Sequence, residues 1–177
     1  SYGVETARHA LLVRVIGPDA EGWGECVAEL EPRYTSEYVD GAHDVMRRFL
    51  LPMLGAADRV AGDVAAQLAP VVGHRMAKAA IEAAVLDAEC RLTGQRLVDR
   101  LGGGRDRVPA GVAVSIQDSI PRLLDVVASY VADGYLRIKL KIEPGHDIEP
   151  VRAVRERFGR DLMLQVDANQ AYAVGDW

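Results

Sequence analysis

The sequence predicts an α/β protein whose first part is a β-hairpin with helices and whose second part is a parallel βαβαβ unit. Three observations carry this. From Val108 onward, β-prone segments begin at residues 111, 136 and 162, steps of 25 and 26 residues. Stretches of helical periodicity separate them, and strands joined by such crossovers pair in parallel. Before residue 108, two β-prone runs flank a Gly/Pro/Asp cluster and are followed by helical segments only.

Composition limits what such a chain can be. Its 177 residues allow one to one and a half ordinary domains. It is 49% hydrophobic and 27% charged, with no apolar run long enough to cross a bilayer, which excludes disordered, collagen-like and transmembrane classes. The net charge of −5 comes from 21 scattered Lys and Arg against 26 Asp and Glu. A nucleic-acid binder concentrates its cations on one face, so neither nucleic acid nor membrane is expected as a partner. Cys26 and Cys90 lie far apart with no metal-ligand spacing and are expected as buried thiols in a reducing, cytoplasmic setting. His9, His43, His74 and His146 share no ligand spacing and are expected at surface or capping positions. The chain begins without Met and almost inside a strand, which suggests residues upstream.

Each element has its own signal. His9 to Ile16 and Trp23 to Leu30 read as hairpin strands around residues 17–22. Ser36 to Leu54 places Tyr38, Ala42, Val45, Phe49 and Met53 at three- and four-residue steps, a helical stripe. Asp58 to Leu68 is a shorter Ala-rich helix ended by Pro70, and Arg75 to Leu92 a longer one closed by Gly94. Gly102 to Gly104 reads as a linker, since no helix follows to present its N-terminus to a phosphate. In the second part, Val112, Val114 and Ile116 alternate with small residues as a strand. Asp118 or Ser119 caps a helix with Pro121 in its first turn, ending at Asp133-Gly134. Tyr135 to Ile142 is the second strand; a helix from about Asp147 to Gly159 carries Ile148, Val151, Val154 and Phe158 inward; the third strand runs from Leu162 to about Asn169.

The strand faces carry the functional signal. Side chains alternate across a strand, so Leu136, Ile138, Leu140 and Ile142 share one face and Tyr135, Arg137, Lys139 and Lys141 the other. In the third strand Leu164, Val166 and Ala168 oppose Gln165, Asp167 and Asn169; in the first, the second face is Gly111, Ala113 and Ser115. A parallel sheet covered by helices on both faces reads apolar throughout, and this one does not. In an open doubly wound sheet the polar face would be buried at a cost unless paired. In a (β/α) barrel it would line the interior, with Lys141 and Asp167 near the C-terminal strand ends where barrel active sites lie. Asp167 offers an anionic oxygen to a hard cation such as Mg²⁺. Burial and a metal's charge would push a neighbouring Lys141 towards the neutral amine, making it a base for a proton next to a carboxylate. Asp167 alone cannot hold the ion, and no other acidic residue sits at a comparable strand end.

The sequence resembles the enolase superfamily, and within its muconate-cycloisomerase-like branch the o-succinylbenzoate synthase / N-acylamino acid racemase group. The resemblance runs through Gly22-Trp-Gly-Glu-Cys26, Ser36-Glu-Tyr38, Gly73-His-Arg-Met-Ala-Lys78, Ala84-Val-Leu-Asp-Ala-Glu89, Tyr135-Leu-Arg-Ile-Lys-Leu-Lys-Ile-Glu-Pro-Gly145 and Gln165-Val-Asp-Ala-Asn169. The pair K-x-K, then D-x-N, is the specific part.

That resemblance implies an α+β capping domain over residues 1–107, its first strand missing, followed from 108 to 177 by the first β/α units of a truncated TIM-type (β/α)₇β barrel. It implies Lys141 as an acid/base catalyst with Lys139 supporting it, Asp167 as one carboxylate ligand of Mg²⁺ or Mn²⁺, and Asn169, Ser115 and Tyr2 at the substrate. Tyr34 and Tyr38 either line the cap side or belong to core or surface. The implied reaction removes a proton alpha to a carboxylate through an enediolate. It serves dehydration to o-succinylbenzoate for menaquinone biosynthesis, racemisation of an N-acylamino acid, or both. Dipeptide epimerisation and muconate cycloisomerisation are alternatives within the branch, and a non-catalytic binding or oligomerisation fragment is the alternative outside it. The implied partners are a small-molecule carboxylate and further copies of the chain in a homo-oligomer. A barrel takes about 250 residues, so a complete protein would need about 357, with about 180 following Trp177. The 177 residues alone are expected to be inactive.

Overall fold

Gly22 and Gly24 stand in a strand, where glycine is usually unfavourable, because a helix crosses directly over them. In the computed structural model, which describes residues 6–55 and 60–175, β1 (Leu11–Ile16) pairs antiparallel with β2 (Glu21–Cys26), with Val13 opposite Gly24 and Val15 opposite Gly22. A Cβ on Gly24 would lie 1.9 Å from the carbonyl oxygen of Ala80, and one on Gly22 would lie 2.2 Å from that of Ala84. Both carbonyls belong to the 19-residue helix α4 (Arg75–Thr93). This corrects the expected loop over 17–22. Glu21 and Gly22 are strand residues, the connection is Gly17–Ala20 closed by a 2.9 Å bond from Gly17 N–H to Ala20 C=O, and β2 ends at Cys26 rather than Leu30.

The chain divides into two compact units, residues 1–104 and 105–177. In the first, α1 (Val39–Val45) runs through a π-helical turn (Met46–Leu50) into α2 (Leu51–Leu54). Pro52 cannot donate to the preceding turn and its ring crowds it, so the ladder widens there. The expected helix start at Ser36 moves to Val39 because Glu29 and Tyr38 form a parallel bridge first. Helix α3 (Ala61–Leu68) and α4 complete the layer, α4 ending on Gly94 at φ 68° as expected, and a short α5 (Leu97–Arg100) follows unannounced by the sequence pattern. Leu50, Val64, Leu68, Ala77, Ala80 and Ile81 are buried in one core with Cys26. Both cysteines are free and buried.

Three carboxylates bind this unit together through backbone donors. Glu37 accepts from Met76 N–H at 3.0 Å and Ala77 N–H at 3.2 Å, satisfying the first turn of α4, where His74 at the cap position makes no side-chain cap bond. Glu89 does the same for Ala61 N–H at 3.0 Å at the start of α3. Asp87 accepts from Trp23 N–H at 2.9 Å, tying β2 to α4. Free N–H groups at a helix start are otherwise orphaned, and negative charge there also opposes the helix dipole.

In the second unit β3 (Gly111–Val114), β4 (Arg137–Lys141) and β5 (Met163–Asp167) form a parallel sheet in the order β3-β4-β5. Helix α6 (Ile120–Ala132) and helix α7 (Ile148–Phe158) are the crossovers. Ser119, not Asp118, caps α6 by accepting from Arg122 N–H at 3.3 Å. Val114, Leu123, Val127, Ile138, Leu140 and Val154 form the buried core. Each such side chain contributes about 1.5–3 kcal/mol on burial. The expected strands are longer than those observed. Leu136 is 54% exposed and Tyr135 turns into the core, its ring edge-on to Tyr130 at 5.6 Å, because alternation starts only at Arg137, after Gly134 at φ 90°. Ile148, expected inward, is 68% exposed at the first turn of α7, and Val166 on the edge strand β5 is also exposed. No described helix is long and apolar enough to cross a membrane.

Substitution at Gly24 tests the strand–helix contact. Gly24→Ala is expected to cost at least about 2 kcal/mol in chemical denaturation, since backbone rather than a flexible side-chain end blocks the new methyl. Gly62→Ala in α3 meets nothing within 4 Å and is expected to be neutral or to stabilise by up to about 1 kcal/mol. Equal behaviour of the two variants would contradict this packing.

Candidate active site

The parallel register sets Ala113 against Lys139, Lys139 against Gln165 and Lys141 against Asp167. Ile138 and Leu140 go to the core, so Lys139 and Lys141 are left on the opposite face, and Asp167 ends the neighbouring strand beside them. Lys141 Nζ donates to Asp167 Oδ2 at 2.8 Å and Lys139 Nζ donates to the same oxygen at 2.9 Å. The other oxygen, Oδ1, accepts from Asn169 N–H at 3.0 Å, and Lys141 Nζ also donates to Asn169 Oδ1. The side chains of Lys139, Lys141 and Asp167 are 33%, 30% and 26% exposed, so the cluster is partly shielded within this unit.

Asn169 does not continue the strand as the alternation predicts. It stands at φ 45°, followed by Gln170 at φ 64°, a left-handed turn closed by Ala171 N–H on Ala168 C=O at 2.8 Å. Asn is among the few residues that accept this conformation, and the Asp167 bond to its N–H is the local side-chain turn that favours it. The D-x-N spacing therefore positions Asn169 by a turn and not by strand register.

Of the residues expected at a site, Lys139, Lys141, Asp167 and Asn169 converge. Ser115 lies exposed just past the end of β3; the register of Ala113 with Lys139 puts it at the level of Lys141, and its carbonyl accepts from Gln117 Nε2 at 2.9 Å. Tyr2 lies outside the described residues. Tyr34 and Tyr38 are on the surface of the first unit, Tyr38 directly before α1. The Tyr172–Asp147 contact has no counterpart in the sequence reading: Tyr172 O–H donates to Asp147 Oδ2 at 2.6 Å, while Asp147 Oδ1 accepts from Ile148 N–H at 2.6 Å as the cap of α7. Only the N-cap half of that arrangement has a local sequence signal.

The electrostatics follow from the geometry. The Lys141 ammonium first, then the Lys139 ammonium and the Asn169 N–H, hold the Asp167 carboxyl well below the usual carboxylate range. The Tyr172 hydroxyl and the Ile148 N–H lower Asp147 likewise. Asp167 and the Asn169 amide oxygen are hard donors that suit a cation such as Mg²⁺. Among the described residues no three His, Cys, Asp or Glu side chains cluster, so these residues fit such an ion as one part of a ligand set. A groove lined by Arg152, Arg155, Glu156 and Arg160 lies at the other end of the strands, where Arg155 donates to the Leu162 carbonyl at 2.6 Å.

Comparison with known proteins shows what the chain is similar to. Residues 122–176 match the family model described as Enolase C-terminal domain-like. An N-succinylamino acid racemase from Amycolatopsis is 57% identical over 177 residues, covering 99% of this chain and 48% of its own length. An o-succinylbenzoate synthase from Geobacillus kaustophilus is 38% identical, with 99% and 47% covered. A solved structure from Listeria innocua, described as a member of the enolase superfamily, superposes with a TM-score of 0.92 at 35% identity, covering 99% of this chain and 48% of that one. The chain spans about half the length of the curated relatives it matches.

The paired lysines predict when Asp167 gives up its charge. Because its acid constant is lowered by folding, the ion pairs contribute stability above the ordinary carboxylate range and lose it only as pH falls through the lowered value. Carbon-13 NMR of the Asp167 carboxyl is expected to show it still ionised at about pH 4, where a free Asp is half-protonated. An ordinary midpoint near pH 4 would contradict the two lysine contacts.

Proposed function

The chain belongs to the enolase superfamily, and we propose that it supplies one acid/base lysine, Lys141, and one metal-binding carboxylate, Asp167, of a site that removes the proton alpha to a carboxylate. The observation carrying this reading is the shared oxygen: two lysine ammoniums and one carboxylate meet on one sheet face at the C-terminal ends of adjacent strands. In this reading residues 1–107 are a capping domain and 108–177 the first strands of a (β/α)₇β barrel, whose remaining length the active protein provides.

Within the site, Asp167 would hold the ion with Asn169 beside it, and further oxygens would come from beyond the described residues. A bound Mg²⁺ or Mn²⁺ would supply positive charge against the oxyanion that develops on the substrate carboxylate. A cation held by Asp167 would take that carboxylate away from Lys141, and Lys141 as the neutral amine would accept the alpha proton, becoming the ammonium and leaving the enediolate. Lys139, one turn of the pleat away on the same face, adds a fixed positive charge. The Asn169 amide orients the Lys141 amine, and Ser115 and Tyr2 would contact the substrate.

Two outcomes share these residues. Return of a proton from the opposite side by a second base inverts the alpha carbon, as in racemisation of an N-acylamino acid. Loss of water instead gives o-succinylbenzoate, the dehydration that serves menaquinone synthesis. The 57% identity to an N-succinylamino acid racemase favours the first and the 38% identity to an o-succinylbenzoate synthase supports the second. The substrate class is a small carboxylate, handled in the cytoplasm by a homo-oligomeric enzyme.

In the active full-length protein, Lys141→Ala is expected to lower turnover of N-succinylamino acids and of the o-succinylbenzoate precursor by roughly 10²–10⁴-fold. Mg²⁺ binding, measured by calorimetry, should persist because Asp167 is intact. Turnover within twofold of the parent protein would remove Lys141 as the base.

A further inference from the structure

We infer that the Tyr172–Asp147 hydrogen bond is a positioning device, holding the turn after β5 so that the Asn169 amide faces the Lys141 amine. This rests on the proposed function of Lys141.

The turn needs an external restraint. Asn169 and Gln170 are two consecutive non-glycine residues in the left-handed region, at φ 45° and 64°. Such conformations are costly and persist only where the surroundings over-determine them. On one side the turn is fixed to β5, through Asp167 Oδ1 and the Asn169 N–H and through Ala171 N–H on Ala168 C=O. On the other side Tyr172, three residues beyond Asn169, reaches across 25 positions of sequence to Asp147 at 2.6 Å. Both oxygens of Asp147 are engaged, one by Tyr172 and one by the Ile148 N–H at the start of α7, so the anchor is itself fixed to a helix of 11 residues. A hydroxyl donating to a carboxylate is among the stronger hydrogen bonds.

The chain of contacts is therefore continuous. Helix α7 holds Asp147, Asp147 holds Tyr172, the turn holds Asn169, and Asn169 holds the Lys141 amine that also meets Asp167. Tyr172 and Asp147 are joined to the cluster by the turn that carries Asn169, so they act through Asn169. A lost restraint lets Asn169 relax towards ordinary backbone geometry and releases the aim of the amine, which affects proton transfer more than substrate binding.

The test uses Tyr172→Phe, which removes only the hydroxyl, and Asp147→Ser, which keeps a good helix cap but cannot reach Tyr172. In the active full-length protein each is expected to lower kcat roughly tenfold with KM changed less than about threefold, because misplacing a catalytic group acts on the chemical step. The double variant should fall no further than either single, since both remove one shared interaction. Wild-type kcat in both singles, a change confined to KM, multiplicative losses in the double, or losses explained by a lower thermal midpoint would each overturn the inference. An active Lys141→Ala protein would overturn the site itself, whereas an inactive Lys141→Ala beside a fully active Tyr172→Phe would overturn this restraint alone.

Discussion

The second unit depends on the parallel register of β4 against β5. Lys141 and Asp167 are 26 residues apart in sequence, yet one ladder position makes them neighbours at 2.8 Å. The register is enforced from the other face of the sheet, where Ile138 and Leu140 are fully buried against Val127 and Val154. A slip of one residue would exchange the two faces, placing both lysines in the core and both aliphatics on the polar side. The apolar face therefore fixes the geometry of the polar one, and the chemistry is assembled by packing that it does not share.

The first unit shows a second use of the same logic. Helix α4 can lie over β2 only because Gly22 and Gly24 present no side chain, and that close approach brings Asp87 within bonding distance of the Trp23 N–H. Glu37 and Glu89 then satisfy the first turns of α4 and α3 from remote positions. Three of the motifs that carry the family likeness, around Gly22, Glu37 and Asp87 to Glu89, are thus parts of one structural joint.

Much of this was legible in the sequence where periodicity and burial act together. The three parallel strands, both crossover helices and the ladder position that sets Lys141 beside Asp167 follow from alternation and spacing. What escaped was set by contacts distant in sequence. Gly22 reads as a turn residue, and only the helix above it makes it a strand residue. Asn169 reads as the next alternating position, but its left-handed backbone ends the strand at Asp167. Ile148 fits the apolar stripe of α7, yet at the first turn of that helix it is exposed. Tyr172 carried no local signal, since its partner Asp147 lies 25 residues earlier. Tyr2 falls outside the described residues, so its expected contact with substrate stands as part of the proposed function.

Under the proposed function, the cluster of two amines around one carboxylate serves to remove a carbon-bound hydrogen. The direct measurement is proton NMR of an N-succinylamino acid held with the active, Mg²⁺-loaded full-length protein in deuterium oxide. The alpha-hydrogen signal should disappear as solvent deuterium takes its place, at a rate no slower than racemisation. Inversion of the alpha carbon with the original hydrogen retained would contradict the account.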